Sequence, residues 1–216
     1  SYNDLLTNKA ANDTASEFVR NKIRAIVQDK ETAEALCPND HPIGTKRLIL
    51  DTNYYETYNQ PHVKLVNIRK TPIAEITETG IKLADGQSFE LDVIVFATGF
   101  DAMTGAMKEI DIKGTGGTSI RDKWKDGPHT YLGIMTAGFP NMFMVTGPQS
   151  PGVKSQMIFS CQQHVDWIAT AIKHVGERQL RRIEPTRAAE LAWVAHNNEV
   201  ANSTLYPLAN SWYMGA

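Results

Sequence analysis

The chain has 216 residues, 42% of them hydrophobic and 21% charged, with a formal net charge of −2. That balance belongs to a globular protein and gives no electrostatic ground for a nucleic-acid or anionic-membrane partner, because no Lys/Arg cluster runs along an expected face. No apolar run approaches the length of a membrane span, Ser1–Asp4 lacks the regions of a signal peptide, and the widely spaced Cys37 and Cys161 point to a reduced, cytoplasmic compartment.

The opening stretch reads as helical. Thr14-Ala15-Ser16-Glu17 has capping-box spacing, and Phe18, Ile23, Ile26 and Val27 trace one face of a following helix. A second short helix is expected over Glu31 to Leu36, stopped by Pro38. Two such helices cannot close a core by themselves, so this region must pack on something further.

Between Gly44 and Gly99 the pattern changes to short strands: Arg47 to Leu50, Val63 to Val66, Ile73 to Ile76 and Ile81 to Leu83. Asp85-Gly86, between Ile81–Leu83 and Phe89–Leu91, predicts a hairpin. It leads into Val93–Ala97, an apolar β-branched run closing on Thr98-Gly99, read as a buried strand feeding a ligand-facing turn. Beyond Phe100 come a loop through Gly114–Gly117, a strand over Met142 to Thr146, and a break at Gly147-Pro148. A long helix is expected from near Lys154 or Ser155, with Ile158, Cys161, Val165, Ile168, Ile172 and Val175 on its apolar stripe. A further helix spans roughly Pro185 to Ser203. The aromatic ending, Trp212-Tyr213 with no closing helix or polar tail, reads as a truncated end.

Few motifs stand by themselves. Gly114-Thr115-Gly116 is a loop rather than a dinucleotide site, because Ser119 stands where the third glycine of GxGxxG belongs. Gly147-Pro148 before a helix offers backbone N–H groups and a positive dipole end to an electron-rich ring edge. Lys46 and Arg47, adjacent on an expected strand, address opposite sides. The six histidines show no ligating spacing, and Cys161 reads as a core residue; no metal site is expected.

Taken in order, Gly44-Thr45-Lys46-Arg47, Tyr54-Tyr55-Glu56, Phe96 to Ala102, Thr130-Tyr131-Leu132-Gly133, Phe139-Pro140-Asn141 and Ser211-Trp212-Tyr213 resemble the C-terminal portion of a Baeyer–Villiger monooxygenase of the phenylacetone and cyclohexanone monooxygenase type. The resemblance implies an α/β fold: a fragment of a flavoprotein with two dinucleotide-binding domains, preceded by a helical segment. Residues 1–41 would end a helical insertion, 42–96 would close the NADP-binding domain and 97–216 would return to the FAD-binding domain. It further implies FAD and NADP as cofactors, a ketone and O2 as substrates, a C4a-peroxyflavin as oxidant, and an N-terminal portion of the same protein as partner. An N- or S-oxygenating flavin monooxygenase is the alternative, as is a fragment inert without its phosphate loops.

Residue by residue, Arg47 matches the active-site arginine and Lys46 the residue that reads the NADP 2′-phosphate. Trp212 matches a residue at the NADP ribose or nicotinamide. Thr98, Gly99, Phe100 and Asp101 match the strand beside FAD, Gly147 and Pro148 are the ring-edge junction, and Met157 matches a position next to the flavin. Gly152, Val153 and Lys154 match a loop lining the substrate cavity, with Lys154 where an apolar residue is common.

Overall fold

The computed structural model describes residues 3–150 and 156–214. The chain divides into two compact units, one formed by the residues up to Leu5 and Lys9–Gly99, the other by Leu6–Asn8 and everything from Phe100 onward. The division falls at Gly99, whose φ of +87° is a left-handed conformation that favours glycine.

The first unit begins with α1 (Lys9–Ile26) and α2 (Lys30–Leu36). The Asp29 carboxylate accepts from the Thr32 amide at 2.8 Å and caps α2. Ile23, Val27, Ala33 and Cys37 are buried together, and α3 (Tyr54–Thr57) supplies the missing third partner through Tyr55 and the adjoining Tyr58. Burying Ile23 and Val27 is worth roughly 1.5–3 kcal/mol each. The expected capping box is not used. α1 starts at Lys9, five residues early, so Thr14 lies inside it and donates to the Ala10 carbonyl at 3.1 Å. Phe18 points away from the core, largely exposed with the Lys22 ammonium 5.0 Å from its ring centre.

The earlier start has a cause in Asn12, which is fully buried. Its amide donates to the carbonyls of Leu5 and Ile43 at 2.8 and 2.9 Å, and its oxygen accepts from the Ile43 amide at 3.0 Å and the Ser16 hydroxyl at 3.2 Å. Two of these four hydrogen bonds tie α1 to Ile43, just before Gly44, and a third ties it to Leu5.

β1 (Ile73–Thr77), β2 (Gly80–Leu83) and β3 (Ser88–Glu90) form an antiparallel meander in that order, with Ile81 paired to Ile76 on one side and to Phe89 on the other. The hairpin at Asp85-Gly86 is present: Gly86 has φ +89°, and the Asp85 carboxylate accepts from the Gln87 amide at 3.0 Å. Gly80 is required by space, since a Cβ there would lie 1.8 Å from the Phe89 carbonyl oxygen.

Four expected strands, Arg47–Leu50, Val63–Val66, Val93–Ala97 and Met142–Thr146, join no ladder among the described residues. The reading of Val93–Ala97 as buried is corrected most plainly: Val95 is 81% and Phe96 70% exposed, as is Leu50 at 96%. β-branched runs encode a strand, but burial needs flanking strands, and none among the described residues lies beside these.

The second unit is built around Ile120, Trp124, Phe139 and Met144. α4 (Gly105–Glu109) and α5 (Ile120–Lys123) border this core, and the Trp124 indole donates to the His129 carbonyl at 3.1 Å. Two long helices follow, α6 (Met157–Glu177) and α7 (Arg187–Asn202). Thr186 caps α7, its hydroxyl accepting from the Ala189 amide at 3.2 Å. The predicted stripe of α6 is present as a pattern but not as a core. Ile158, Val165 and Ile172 are exposed and Cys161 is only partly buried, because no helix or strand of the described residues packs along it.

Candidate functional site

The second unit holds a cleft of about 1270 Å³. Its walls include Gly147 and Pro148, Met157 at the first turn of α6, and Trp212 near the chain end, so four of the sequence-predicted residues line one space. Trp167 and Trp193 add apolar wall, whereas Gln149, His164 and Asn197 add polar groups. A volume above the ~300–1,000 Å³ of common small-molecule pockets, with flat aromatic walls and a few convergent polar groups, suits a large planar ligand with a polar edge.

The turn over Thr146–Ser150 forms one edge of this cleft. Thr146 and Gln149 both sit at positive φ, +52° and +63°. A left-handed β-branched residue is an outlier that its surroundings must enforce. Here the Thr146 amide donates to Nδ1 of His164 at 2.9 Å, and the Gly147 amide donates to the Gly133 carbonyl at 3.1 Å. The Thr130 hydroxyl reaches the Pro148 carbonyl at 2.9 Å, and the Trp193 indole donates to the Gln149 carbonyl at 3.1 Å. Gly147 is needed for contact: a Cβ there would meet the Gly133 carbonyl oxygen at 2.6 Å. Burial holds the His164 imidazole below the ordinary histidine range, so the ring is neutral at neutral pH.

Lys46 and Arg47 lie in the first unit. Arg47 is exposed, and among the described residues its guanidinium has no hydrogen bond or ion pair. Nearby, the Asp40 carboxylate accepts from Arg69 at 2.8 Å and contacts His41 at 2.6 Å. The Arg69 bond foremost, then His41, with Lys46 adding its charge, holds that carboxyl well below the usual range. Thr98 and Gly99 close the same unit, exposed; Phe100 and Asp101 open the second one, also exposed, and do not line its cleft. Gly152, Val153 and Lys154 lie outside the described residues.

Residues without a sequence signal support the cleft. Glu190, 2% exposed on α7, accepts from the Thr136 hydroxyl at 2.9 Å, the Ala137 amide at 2.7 Å and the Lys123 ammonium at 2.9 Å. His164 and Trp193 were equally silent, each with a partner 18 or more positions away, and Thr130, though part of the Thr130–Gly133 segment, gave no sign of its bond to Pro148. No group of three or more ligating side chains able to hold a metal ion occurs among the described residues. Nor is any helix there long and apolar enough to cross a membrane.

No family model matches the chain. Individual proteins do. A Baeyer–Villiger monooxygenase of Pseudooceanicola batsensis is 44% identical over 213 residues, covering 99% of this chain and 38% of that protein. A phenazine N-monooxygenase of Lysobacter antibioticus is 45% identical over 214 residues, covering 99% and 39%. The crystal structure of OTEMO in complex with FAD and NADP superposes with a TM-score of 0.91 at 44% identity, over 98% of this chain and 40% of that one. The chain is homologous to part of the Baeyer–Villiger monooxygenases. It spans about two-fifths of the length of these relatives.

Proposed function

We propose that the flavoprotein containing this chain is an FAD- and NADPH-dependent Baeyer–Villiger monooxygenase: ketone, O2, NADPH and a proton give ester or lactone, NADP+ and water. The observation that carries this reading is the likeness in sequence and fold to OTEMO, a protein crystallised with both cofactors. On this reading residues 42–96 complete an NADP-binding domain after the helical insertion of 1–41, and 97–216 belong to an FAD-binding domain. The phosphate-binding loops come from the rest of the protein, which also supplies the strands flanking Arg47–Leu50 and Val93–Phe96. The free Cys37 and Cys161 accord with a reducing, cytoplasmic setting.

The cleft fits a flavin ring: Met157, Trp167 and Trp193 offer apolar contact, and the Thr146–Ser150 turn forms one edge, with Gln149, His164 and Asn197 as polar side chains in the lining. A flavin bound here would supply the activation of O2, which is the source of the transferred oxygen atom. Arg47 is charged at every working pH, and with no carboxylate of the described residues compensating it, it is free to hold negative charge building on oxygen at the ketone carbon. Lys46 provides a compact cation for the NADP 2′-phosphate, and Trp212 a flat surface for the nicotinamide end. Thr98–Asp101 do not line this cleft, and their place beside FAD rests on the resemblance alone. Lys154, in the segment matched by resemblance to a substrate loop, puts a preference for a bulky aromatic ketone in doubt.

In the full-length protein, Arg47→Ala should lower ester formation by about 10²–10³-fold, the range for losing one charge-stabilising group, while NADPH still reduces the flavin at a rate within a few-fold. Unchanged ester yield sinks the assignment. The 45%-identical phenazine N-monooxygenase supports a second reading, oxygenation at a ring nitrogen. Turnover of a phenazine but of no ketone decides for it.

A further inference from the structure

His164 is the one buried residue on α6, and among the described residues no carboxylate pairs with it. Its Nδ1 accepts the Thr146 amide at 2.9 Å, so the single proton of the neutral ring lies on Nε2. That bond fixes the first of the two left-handed residues in the turn, and His164 and the turn line the same cleft. The far end of the turn has its own ties, from Thr130 and Trp193 to the Pro148 and Gln149 carbonyls. The Thr146 end depends on the imidazole and on the Gly147 amide bond.

We propose that His164 is a positioning residue whose neutral imidazole holds the Thr146–Ser150 turn in the shape that receives the flavin, and that protonation of Nδ1 releases it. The inference rests on the reading of this cleft as the flavin site. A protonated Nδ1 is a donor facing the Thr146 N–H, so the tie becomes a repulsion, and the costly φ of Thr146 loses its support. Burial is the sole cause of the ring's preference for neutrality; the ionisable groups along the same cleft, Lys108, Lys125, Asp126, His129, Tyr206 and Tyr213, add nothing to it. The working state therefore persists at neutral pH and fails on the acid side of the ordinary histidine range, near 6.5.

The test uses the full-length flavoprotein, with FAD affinity, the visible flavin spectrum, and kcat and KM for NADPH followed between about pH 8 and pH 5. Wild type should lose about tenfold in FAD affinity across the acid limb, with a parallel spectral shift. His164→Asn keeps an acceptor near the Nδ1 position and cannot titrate; at neutral pH it should bind FAD more tightly than His164→Ala does, and it should lack the limb. His164→Ala should bind FAD about tenfold more weakly at every pH, with KM for NADPH little changed. If His164→Ala fails to fold, the His164→Asn profile decides alone. An acid limb retained in His164→Asn, or an alanine variant with wild-type flavin affinity, overturns the proposal. A wild type that binds FAD but makes no ester defeats the proposed function and leaves this inference standing; one that holds no FAD defeats both.

Discussion

Glu190 shows how a single residue positions the cleft without touching a ligand. It sits in the first turn of α7, where a carboxylate also complements the helix dipole, and among the described residues it is the only acidic partner of Lys123, whose side chain is 14% exposed. Removing one member of such a pair leaves a buried charge, so Glu190→Ala should lower the unfolding free energy by about 3–5 kcal/mol. Replacing Glu190 and Lys123 together by apolar residues should cost much less than the two single changes summed. Chemical denaturation of the full-length protein checks both. Asp40 acts in the opposite regime. Its folded carboxyl is depressed, so its contribution is present above the ordinary aspartate value near 4 and is lost as pH falls through the folded one. With Arg69 79% exposed, that contribution stays at or below about 1 kcal/mol. Asp40→Asn should flatten the acid side of a stability–pH curve only slightly. Neither residue carries a sequence signal, because an isolated Glu or Asp is ordinarily solvated and the partners that matter arrive from 29 to 67 positions away.

Elements were legible where their determinants are local. Asp85-Gly86 encodes its turn within four residues, and α2 and α7 carry their caps next to the helices they start. α1 was misplaced because its beginning is set by Asn12 reaching Leu5 and Ile43, a long-range arrangement that Thr14-Ala15-Ser16-Glu17 imitates by chance spacing. Strand propensity in Val93–Ala97 is real, yet a strand without a neighbour forms no ladder. The meander is self-sufficient, and its tightest point is Gly80. Gly80→Ala puts a methyl on the Phe89 carbonyl and should cost about 2–4 kcal/mol, the upper range for single substitutions with a named clash. Circular dichroism through thermal unfolding of the full-length protein reads the loss.

At the scale of the whole molecule, each unit carries exposed apolar residues that a free-standing soluble protein rarely presents: Leu48–Leu50, Val93, Val95 and Phe96 in the first, and Ile158, Val165 and Ile172 of α6 in the second. Produced alone, the 216-residue chain should self-associate and take up little or no FAD; a monodisperse yellow protein with stoichiometric flavin would contradict this. Family-level motifs such as Gly44–Arg47 and Phe96–Ala102 made the flavoprotein class readable from sequence, since they are strung in order along the chain. The cleft was readable only in part: Gly147, Pro148, Met157 and Trp212 converge, but the residues holding the turn do so through folding. The most direct measurement of the central claim is product analysis after incubating the full-length protein, FAD, NADPH and a small ketone under 18O-labelled O2. The account predicts an ester or lactone carrying one labelled oxygen. No ester, or label found solely in the N-oxide of a phenazine supplied alongside, would contradict it.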